Sequence, residues 1–252
     1  MDAEERRREL LKVVQNRKSV GLDELVERLG VSRMTVHRDL DLLSSRGLLR
    51  KQRGGASAES SLLFESNFHY RQELSQPEKV ALAKAAVRLI EPGHVIMIDD
   101  STTTLQICDE LEDIENVTVI TNSLAVCEKL RGKPNARLVL AGGNYSDTLQ
   151  GFYGLLCEQT LRKLRADWAF MSAPSVIGTS LYHQDQEVVR VKRAMMEAAG
   201  KSVMLLVAAK FKTRALTQFA ELSEFDHIFI DREIDPAAAK SLQQSGITFE
   251  LV

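Results

Sequence analysis

Two stretches of the sequence combine hydroxyls and charges in patterns that suit anion binding. The first, VSRMTVHRDLDLLSSRGLLRKQRGG over residues 31–55, sets cations and hydroxyls among apolar residues at helical spacing. The second, DDSTTT over residues 99–104, follows an apolar run with two carboxylates and four hydroxyls. Cations neutralise the phosphates of nucleic acids, whereas hydroxyls and the free amides of a helix N-terminus bind single phosphate groups. Both stretches are therefore candidate binding sites.

The first stretch predicts the second helix of a helix-turn-helix. A short amphipathic helix over GLDELVERLG ends at Gly30, and the Ser32 hydroxyl can cap a following helix that runs to Arg46. We expect that following helix to turn its apolar residues inward, namely Met34, Val36, Leu40, Leu42 and Leu43. The segment LLRKQRGGA behind it predicts a strand, a Gly-Gly turn and a returning strand, which together make a basic wing.

Such a motif presents the N-terminal half of its second helix to base edges in the major groove, while flanking groups hold phosphates. Arginine can bridge guanine, a threonine methyl can contact thymine, and wing cations can neutralise phosphate. We therefore predict double-stranded DNA as a partner and eight residues as its binding site: Ser32, Arg33, Thr35, His37, Arg38, Arg50, Lys51 and Arg53. Asp39 is expected to pair with a nearby cation, because phosphate would repel a carboxylate that faced DNA.

The charge of the chain is unevenly distributed, which supports the DNA hypothesis. The formal net charge of the 252 residues is −2, but residues 1–56 hold 13 Lys and Arg against 9 Asp and Glu, and the remainder holds 20 against 26. The basic excess is thus confined to the N-terminal region. Two alternatives for that region are a small helical domain with merely solvated charges and an adaptor that binds protein. The wing cations and the local excess favour DNA.

Apolar strands alternate with helical segments from residue 94 onward. The strands HVIMID, VTVIT, RLVLAGG and WAFMSA are separated by helices such as SLAVCEKL and LLCEQTLRKL. This pattern predicts a parallel sheet covered on both faces, in a three-layer α/β domain. We divide the chain into a winged helix-turn-helix DNA-binding domain (residues 1–56), an interdomain linker (57–77) and an effector-sensing and oligomerisation domain (78–252), which starts with a helix from Glu78 to about Ile90.

Polar or glycine-rich residues follow several of these strands. The carboxyl ends of parallel strands share one edge of a sheet, so we expect these residues to form an effector pocket. The predicted pocket residues are Asp99, Asp100, Ser101, Thr102, Thr103, Thr104, Asn122, Ser123, Gly142 and Gly143. The alternative is that they serve only as turn residues and helix caps, which any α/β protein needs at these positions.

The first stretch resembles the DNA-binding motif of DeoR-family bacterial transcriptional regulators. That motif is Ser-x-x-Thr-hydrophobic-Arg-Arg-Asp-Leu with a basic Gly-Gly wing. The matching residues are Ser32, Thr35, Val36, Arg38, Asp39, Leu40, Gly54 and Gly55. His37 stands where the family usually has arginine, so its charge depends on pH near neutrality and operator preference is expected to differ.

The resemblance extends over essentially the whole chain, and it implies a sensor domain similar to the ribose-5-phosphate isomerase and CoA-transferase folds. The matching sensor residues are Asp99, Thr102, Thr103, Thr104, Thr121, Asn122, Ser123, Gly142, Gly143, Gly154, Val191, Lys192, Arg193, Lys210 and Phe211. Family members commonly sense phosphorylated sugars, which implies a phosphate held by residues 101–104 with Lys192 or Lys210. The departures from the family pattern are Ser101, Val188, Val207, Ala209 and Lys212, all expected in the pocket, so we expect a ligand that is unusual for the family.

The resemblance implies a regulator, most often a repressor, of a carbohydrate catabolism operon, whose operator affinity a sugar phosphate or related metabolite changes. The alternative is a sugar-phosphate isomerase-like enzyme with an accessory DNA-binding domain. That enzyme needs a carboxylate base, which Asp99 or Asp100 can supply. His183 and Asp185 are interpreted as a surface loop. With no paired nucleophile and base and no metal-spaced cluster in the sequence, we expect no enzyme activity, no metal and no cofactor.

The remaining expectations concern compartment and assembly. Three scattered cysteines and the lack of any long apolar run predict reduced thiols, a cytoplasmic location and no membrane partner. Operators are generally read by symmetric dimers, so we expect a homo-oligomer, either a dimer or a tetramer. The linker is the expected bistable element, and its candidates for burial in the oligomer are Leu62, Phe64, Phe68 and Tyr70.

Overall fold

The computed structural model describes residues 2–17, 19–45, 49–57 and 67–252, which divide into two compact units, residues 1–70 and 71–252. The boundary lies inside the segment 57–77 that the sequence assigns to a linker. Leu62 and Phe64, and the predicted helix end at Arg46, lie outside the described residues. The predicted helix at Glu78 begins two residues earlier, at Gln76, and ends at Val87.

The N-terminal unit is a three-helix domain with a small antiparallel sheet. Its strands follow the order β1-β3-β2. The buried side chains of all three helices and of the sheet form one core, which includes Leu10, Leu25, Val36, Leu40 and Ala56. The elements are α1 (Ala3–Arg17), β1 (Ser19–Gly21), α2 (Leu22–Leu29), α3 (Arg33–Ser45), β2 (Arg50–Gln52) and β3 (Gly55–Ser57).

The turns of this unit confirm the predicted helix-turn-helix and wing. Gly30 ends α2 in the left-handed conformation, with φ of 65°, and donates its amide to the Val26 carbonyl. The Ser32 hydroxyl caps α3 by accepting the Thr35 amide at 3.2 Å. At the wing, a Cβ added to Gly55 would lie 2.1 Å from the Val20 carbonyl oxygen, so only glycine fits between β1 and β3. Strand β1 was not predicted.

Asp39 has the structural role that the sequence predicts. It is buried on α3, and its two carboxylate oxygens accept hydrogen bonds from Arg6 at 2.6 Å and Arg7 at 2.9 Å. Burial opposes ionisation, but the two guanidinium groups of α1 hold the pKa of Asp39 below its usual value. The pair of arginines therefore fixes α3, the expected recognition helix, against α1.

The C-terminal unit is built on a seven-stranded parallel sheet in the order β15-β14-β12-β9-β4-β5-β6. Its first helices are α4 (Phe68–Glu73), which begins in the N-terminal unit, and α5 (Gln76–Val87). The sheet strands are β4 (Val95–Ile98), β5 (Val117–Thr121), β6 (Ala136–Leu140), β9 (Ala166–Met171), β12 (Ala199–Leu206), β14 (His227–Ile230) and β15 (Glu250–Leu251). The other helices are α6 (Ile107–Glu110), α7 (Leu124–Leu130), α8 (Leu155–Arg162), α9 (Gln186–Ala198) and α10 (Pro236–Gln244).

Both faces of the sheet are buried, which confirms the three-layer α/β prediction. On one face, Met97, Met171 and Met204 share a core with Val191 and Met195 of α9. The alternate residues of the same strands point the other way and are also buried, among them Ile96, Ile98, Phe170 and Leu205. Alternation of this kind, with no exposed face, is the pattern of a sheet between two layers of helices.

Five short strands outside the main sheet were not predicted. A hairpin pairs β7 (Asn144–Ser146) with β8 (Gly151–Tyr153). A second sheet joins β10 (Ser175–Ile177), β11 (Ser180–His183) and β13 (Thr217–Glu221) in sequence order. The hairpin and the second sheet add walls around the carboxyl ends of the parallel strands.

Replacing Asp39 with Asn should destabilise the N-terminal unit by about 2–3 kcal/mol, because the two half-buried arginines, Arg6 and Arg7, then lose their charged partner. Hydrogen exchange of the α1 and α3 amides in the full chain measures this local stability. Asp41→Asn, at an exposed position of α3 that pairs with Lys51, is the matched control and should cost less than about 0.5 kcal/mol. Because the pKa of Asp39 is lowered on folding, its contribution should persist at neutral pH and disappear in acid. Equal effects of the two variants would contradict the assigned role.

Candidate DNA-binding surface and anion-binding cavity

The predicted DNA-binding residues lie on the exposed side of α3 and on the wing. Ser32, Arg33, Arg38, Arg50 and Arg53 are exposed. The side chains of Thr35, His37 and Lys51 are half-buried. The α3 helix and the wing thus present hydroxyls and cations to solvent, as a DNA-binding surface requires.

The position of Met34 shows that the predicted inward apolar face of α3 is wrong at this residue. Its side chain is 64% exposed, although Val36, Leu40 and Leu43 are buried as expected and Leu42 is half-buried. Met34 lies beside Arg33 and one turn before Arg38, on the solvent side of α3. An exposed thioether there can contact thymine methyl groups, so Met34 joins the candidate surface.

Two of the predicted cations are held by carboxylates of the same unit. Arg33 pairs with Asp23 of α2. Lys51 of the wing pairs with Asp41 of α3, at 2.5 Å between the ammonium nitrogen and a carboxylate oxygen. Both pairs are largely exposed, so each is worth little and DNA phosphate can replace the carboxylate as partner.

A cavity of about 50 Å³ lies at the carboxyl ends of β4, β9 and β12. It is lined by six of the predicted effector residues: Asp100, Ser101, Thr102, Thr103, Lys192 and Lys210. The rest of its wall is Arg71, Leu74, Ser75, Lys79, Ser172, Ala173, Pro174, His183, Val207 and Ala209. The structure therefore brings residues 100–103, which follow β4, together with Lys192 and Lys210, which are distant in the sequence.

Asp99 lies behind the cavity wall and organises it. One carboxylate oxygen accepts the Ser101 amide at 3.0 Å and the Thr104 hydroxyl at 2.6 Å. The other accepts the Ser172 amide at 3.1 Å and the Lys192 ammonium. Asp99 and Thr104 are fully buried and their groups are bonded to each other, so they support the cavity without lining it.

Lys192 is a buried cation whose charge two aspartates balance. Besides Asp99, its ammonium lies 3.7 Å from Asp100 and donates to the Ser172 carbonyl at 3.1 Å. Asp100 also accepts the Tyr153 hydroxyl at 2.8 Å. Burial opposes ionisation of Asp100, but Lys192, Arg71 and the Tyr153 hydroxyl keep its pKa below its usual value.

Lys79 of α5 is a cavity residue that sequence reasoning missed. Its side chain is buried, and its ammonium donates to the Arg71 carbonyl. Burial, with the nearby charges of Lys210 and Arg71, lowers the pKa of Lys79 to about 7. Besides Lys192, the cavity wall thus holds the cations Arg71 and Lys210 and a lysine, Lys79, that is partly protonated near pH 7, which is the electrostatic setting of an anion site.

His183 is not on a surface loop, as the sequence suggested, but on strand β11, where it is buried and lines the cavity. Burial and the charge of Lys192 lower the pKa of His183 to about 4, so the ring is neutral near pH 7. Its Nδ1 accepts the Asp185 amide at 3.0 Å, which assigns the ring proton to Nε2 and makes that nitrogen a donor. Asp185 caps α9 by accepting the Glu187 amide.

The other four predicted effector residues lie away from this cavity. The Asn122 side-chain amide donates to the Phe152 carbonyl at 3.1 Å, and Ser123 caps α7. Gly142 and Gly143 follow β6, and a Cβ on Gly143 would lie 2.4 Å from a backbone oxygen of β8. The β7–β8 hairpin covers the ends of β5 and β6, so these residues serve its packing.

Two of the five departures from the family pattern also lie outside the cavity. Val188 is fully buried in the core beneath α9, and Lys212 lines a separate surface groove with Phe211 and Arg214. Ser101, Val207 and Ala209 do line the cavity. The expectation that all five fall in the pocket is therefore wrong for Val188 and Lys212.

Among the described residues, no cluster of three or more His, Cys, Asp or Glu side chains has the arrangement of a metal site. No helix in the described part of the chain has the length and apolar character needed to cross a membrane. Cys108 and Cys157 are buried free thiols, and burial raises the pKa of each to about 12.

Comparisons with known proteins cover both units. A family model described as "DeoR-like helix-turn-helix domain" matches residues 6–61, and one described as "DeoR C terminal sensor domain" matches residues 74–232. The uncharacterized HTH-type transcriptional regulator YgbI of Escherichia coli is 31% identical, over 97% of this chain and 96% of its own length. The L-fucose operon activator of Haemophilus influenzae is 30% identical, over 94% and 96%.

Solved structures were compared as well. A ribose 5-phosphate isomerase from Methanocaldococcus jannaschii shares 20% identity over 54% of each chain, with a TM-score of 0.39. That likeness is too distant to say anything about activity.

The lowered pKa of Lys79 makes the stability of the chain depend on pH. Because the unfolded chain keeps this lysine protonated above pH 7, wild type should gain stability relative to Lys79→Met from pH 7 to pH 9. The gain should be at most about 1.4 kcal/mol per pH unit. Urea unfolding of both full-length proteins measures it, and Lys84→Met, at an exposed position of α5, controls for the loss of a lysine. If the difference in the free energy of unfolding between wild type and Lys79→Met stayed constant from pH 7 to pH 9, the lowered pKa of Lys79 would be contradicted.

Proposed function

We propose the following role for this chain, which belongs to the DeoR family of transcriptional regulators: it represses a carbohydrate catabolism operon, and an anionic sugar metabolite in the α/β unit changes its affinity for the operator. Its relatives are named regulators, and the chain is a DNA-binding regulator rather than an enzyme. Two relatives are named for operons, a putative aga operon transcriptional repressor and the L-fucose operon activator, and the name of the second supports a carbohydrate pathway here.

The DNA-binding half of the proposal rests on the arrangement of α3 and the wing. Cations and hydroxyls share the solvent side of α3, and Asp39 holds that helix against α1 from the opposite side. We propose that Arg38, Met34 and Thr35 meet base edges, while Arg50, Lys51 and Arg53 bind phosphates. Ser32 keeps a capping role, and Arg33 and His37 complete the surface.

The effector half rests on the balance of charge in the cavity, which is the observation that carries it. Asp99 and Asp100 offset Lys192, whereas Arg71, Lys79 and Lys210 bring further positive charge to the same wall. An anion is the ligand that such a wall favours. We propose a phosphorylated sugar, held by the backbone and hydroxyls of residues 101–103 with these cations and with His183 as a donor.

The isomerase-like alternative is not favoured. A catalytic base must face the substrate, but Asp99 lies behind the cavity wall with both oxygens bonded. Asp100 is held by Tyr153 and lies close to Lys192. Val207 and Ala209 add only apolar surface to the wall. The site is arranged to bind an anion, and among the described residues that line the cavity no carboxylate is free.

Two further parts of the proposal concern assembly and location. We propose that the protein works as a homo-oligomer, a dimer or a tetramer, because one winged helix-turn-helix offers few base contacts. We also propose a cytoplasmic location, where operator DNA and phosphorylated sugars are both present.

Arg38→Ala should weaken operator binding about 5- to 150-fold, the loss expected for one arginine that reads a base. The operator is first selected from randomised duplexes with the wild-type protein, and affinities are then measured by mobility shift at one fixed salt concentration. Arg137→Ala, an exposed arginine of the α/β unit, is the control and should bind normally. If Arg38→Ala kept both affinity and sequence preference, α3 would not be the recognition helix.

A panel of sugar phosphates, with matched unphosphorylated sugars and sugar acids, tests the effector. A phosphorylated compound should raise the melting temperature of the full chain and change its operator affinity, while the matched sugar does neither. Thr103→Ala should reduce the response to that compound and leave operator binding without it intact, because Thr103 lines the cavity. Thr160→Ala, at an exposed position of α8, is the control. A response only to unphosphorylated sugars would exclude a phosphorylated effector.

A further inference from the structure

The cavity is too small for a whole sugar phosphate. A cavity needs about 10–15 Å³ for each water, so the observed 50 Å³ holds a few waters or one compact anionic group. Sites for larger ligands measure about 300–1,000 Å³. The proposed ligand can therefore enter only if part of the wall moves.

One part of the wall does not belong to the sheet or to its strand ends. It is the C-terminal part of α4 together with the connection to α5, which bring Arg71, Leu74 and Ser75 to the cavity. Ser75 has a φ of 50°, in the left-handed region, and its side chain makes no capping bond to α5. A non-glycine residue held there costs on the order of 1 kcal/mol, so this connection stores strain that a shift can release.

Among the described contacts, the carbonyl oxygen of Arg71 joins this segment to residues of the cavity wall. It accepts the Leu74 amide at 3.3 Å, the Thr102 hydroxyl at 3.4 Å and the Lys79 ammonium. The two distances are long for hydrogen bonds of these kinds, so the ammonium makes the strongest of the three contacts. Lys79 thus holds the C-terminal end of α4.

Lys79 is also a group that an anion in the cavity would attract. Its ammonium donates to a neutral carbonyl and lies among the charges of Lys210 and Arg71, which disfavour its own charge, whereas Glu78 favours it. Phosphate offers a charged acceptor, and charge-assisted hydrogen bonds are roughly twice as strong as neutral ones. Ligand and Arg71 carbonyl therefore compete for one ammonium.

We propose that Lys79 senses the ligand: its ammonium leaves the Arg71 carbonyl for the bound anion, and this frees the end of α4. The inference rests on the proposed anion site and adds how that site is read. The chain runs from Tyr70, the last residue of the N-terminal unit, directly into Arg71. A change at the Arg71 carbonyl therefore acts on the covalent connection to the DNA-binding unit.

Hydrogen exchange of the full chain, with inorganic phosphate as the probe and chloride to keep ionic strength constant, tests this inference. Phosphate should speed exchange of the amides of residues 69–74 by on the order of tenfold, as expected for the loss of one hydrogen bond to a charged group. Amides of β4, in the sheet core, provide the internal reference. Binding of phosphate is measured separately by calorimetry.

Three variants make the result specific. Lys79→Met should exchange fast at residues 69–74 without phosphate and show no further change with it. Lys84→Met, at an exposed position on the same helix, should respond as wild type does. Thr102→Val removes the other side-chain bond to the Arg71 carbonyl, so its exchange should start faster. Because Thr102 also belongs to the proposed phosphate site, the response of this variant is measured at a phosphate concentration that calorimetry shows to be saturating for it, where exchange should still increase.

The outcomes separate this inference from the proposed function. Suppose that phosphate binds the wild type, but exchange at residues 69–74 is unchanged or slowed by phosphate relative to the β4 reference. Lys79 then does not release α4, and this inference fails while the proposed function stands. If phosphate speeds exchange at residues 69–74 in Lys79→Met as it does in wild type, the inference also fails while the proposed function stands. If phosphate does not bind at all, the anion site itself is wrong and both proposals fall.

Discussion

The buried carboxylate of Asp99 is the interaction on which the cavity depends. Asp99 directly follows strand β4, and its carboxylate accepts four hydrogen bonds. The donors lie in the turn after β4, at the end of β9 and on helix α9. A buried carboxylate is tolerated only when hydrogen bonds and a cation satisfy it. The requirement works in both directions, because Lys192 could not be buried on α9 without Asp99 and Asp100. One ion pair thus fixes three elements around the same small space.

That pair also affects the charge of the cavity wall. The family resemblance implies Lys192 as a phosphate-binding lysine, yet its ammonium already contacts two carboxylates. Further positive charge on the wall comes from Arg71 of α4, Lys79 of α5 and Lys210 after β12. In the mechanism that we propose, an anion acts mainly at Lys79, so binding and conformational change involve the same residue.

Local signals in the sequence were sufficient for the N-terminal unit and for the order of the main elements. Helical spacing, Gly30, the Ser32 cap and the Gly-Gly turn each act over a few residues, so they identify the helix-turn-helix and wing without tertiary information. The prediction for Met34 was wrong because it assumed that every apolar residue of the helix faces the core. The side chain of Met34 is in fact 64% exposed. The short strand β1 gave no periodic signal.

The cavity was harder to predict because its walls come from distant parts of the chain. Strand-end residues identified its floor, but the sequence does not say which strand ends are open. The β7–β8 hairpin covers those of β5 and β6, which removes Asn122 and Gly143 from the cavity. Lys79 and His183 had no motif around them, since one lies in an alanine-rich helix and the other in a short strand. Only the fold brings them together.

The close approach at Gly55 has a consequence for how this DNA-binding unit can diverge. Any side chain there would meet the Val20 carbonyl oxygen at 2.1 Å and separate β1 from β3, so the path of the wing backbone is fixed. New operator preferences must therefore arise by exchanging side chains on an unchanged frame. Met34 and Arg38, which are exposed on α3, are free to vary in that way without cost to the core. The same frame can serve many operators through a handful of point substitutions.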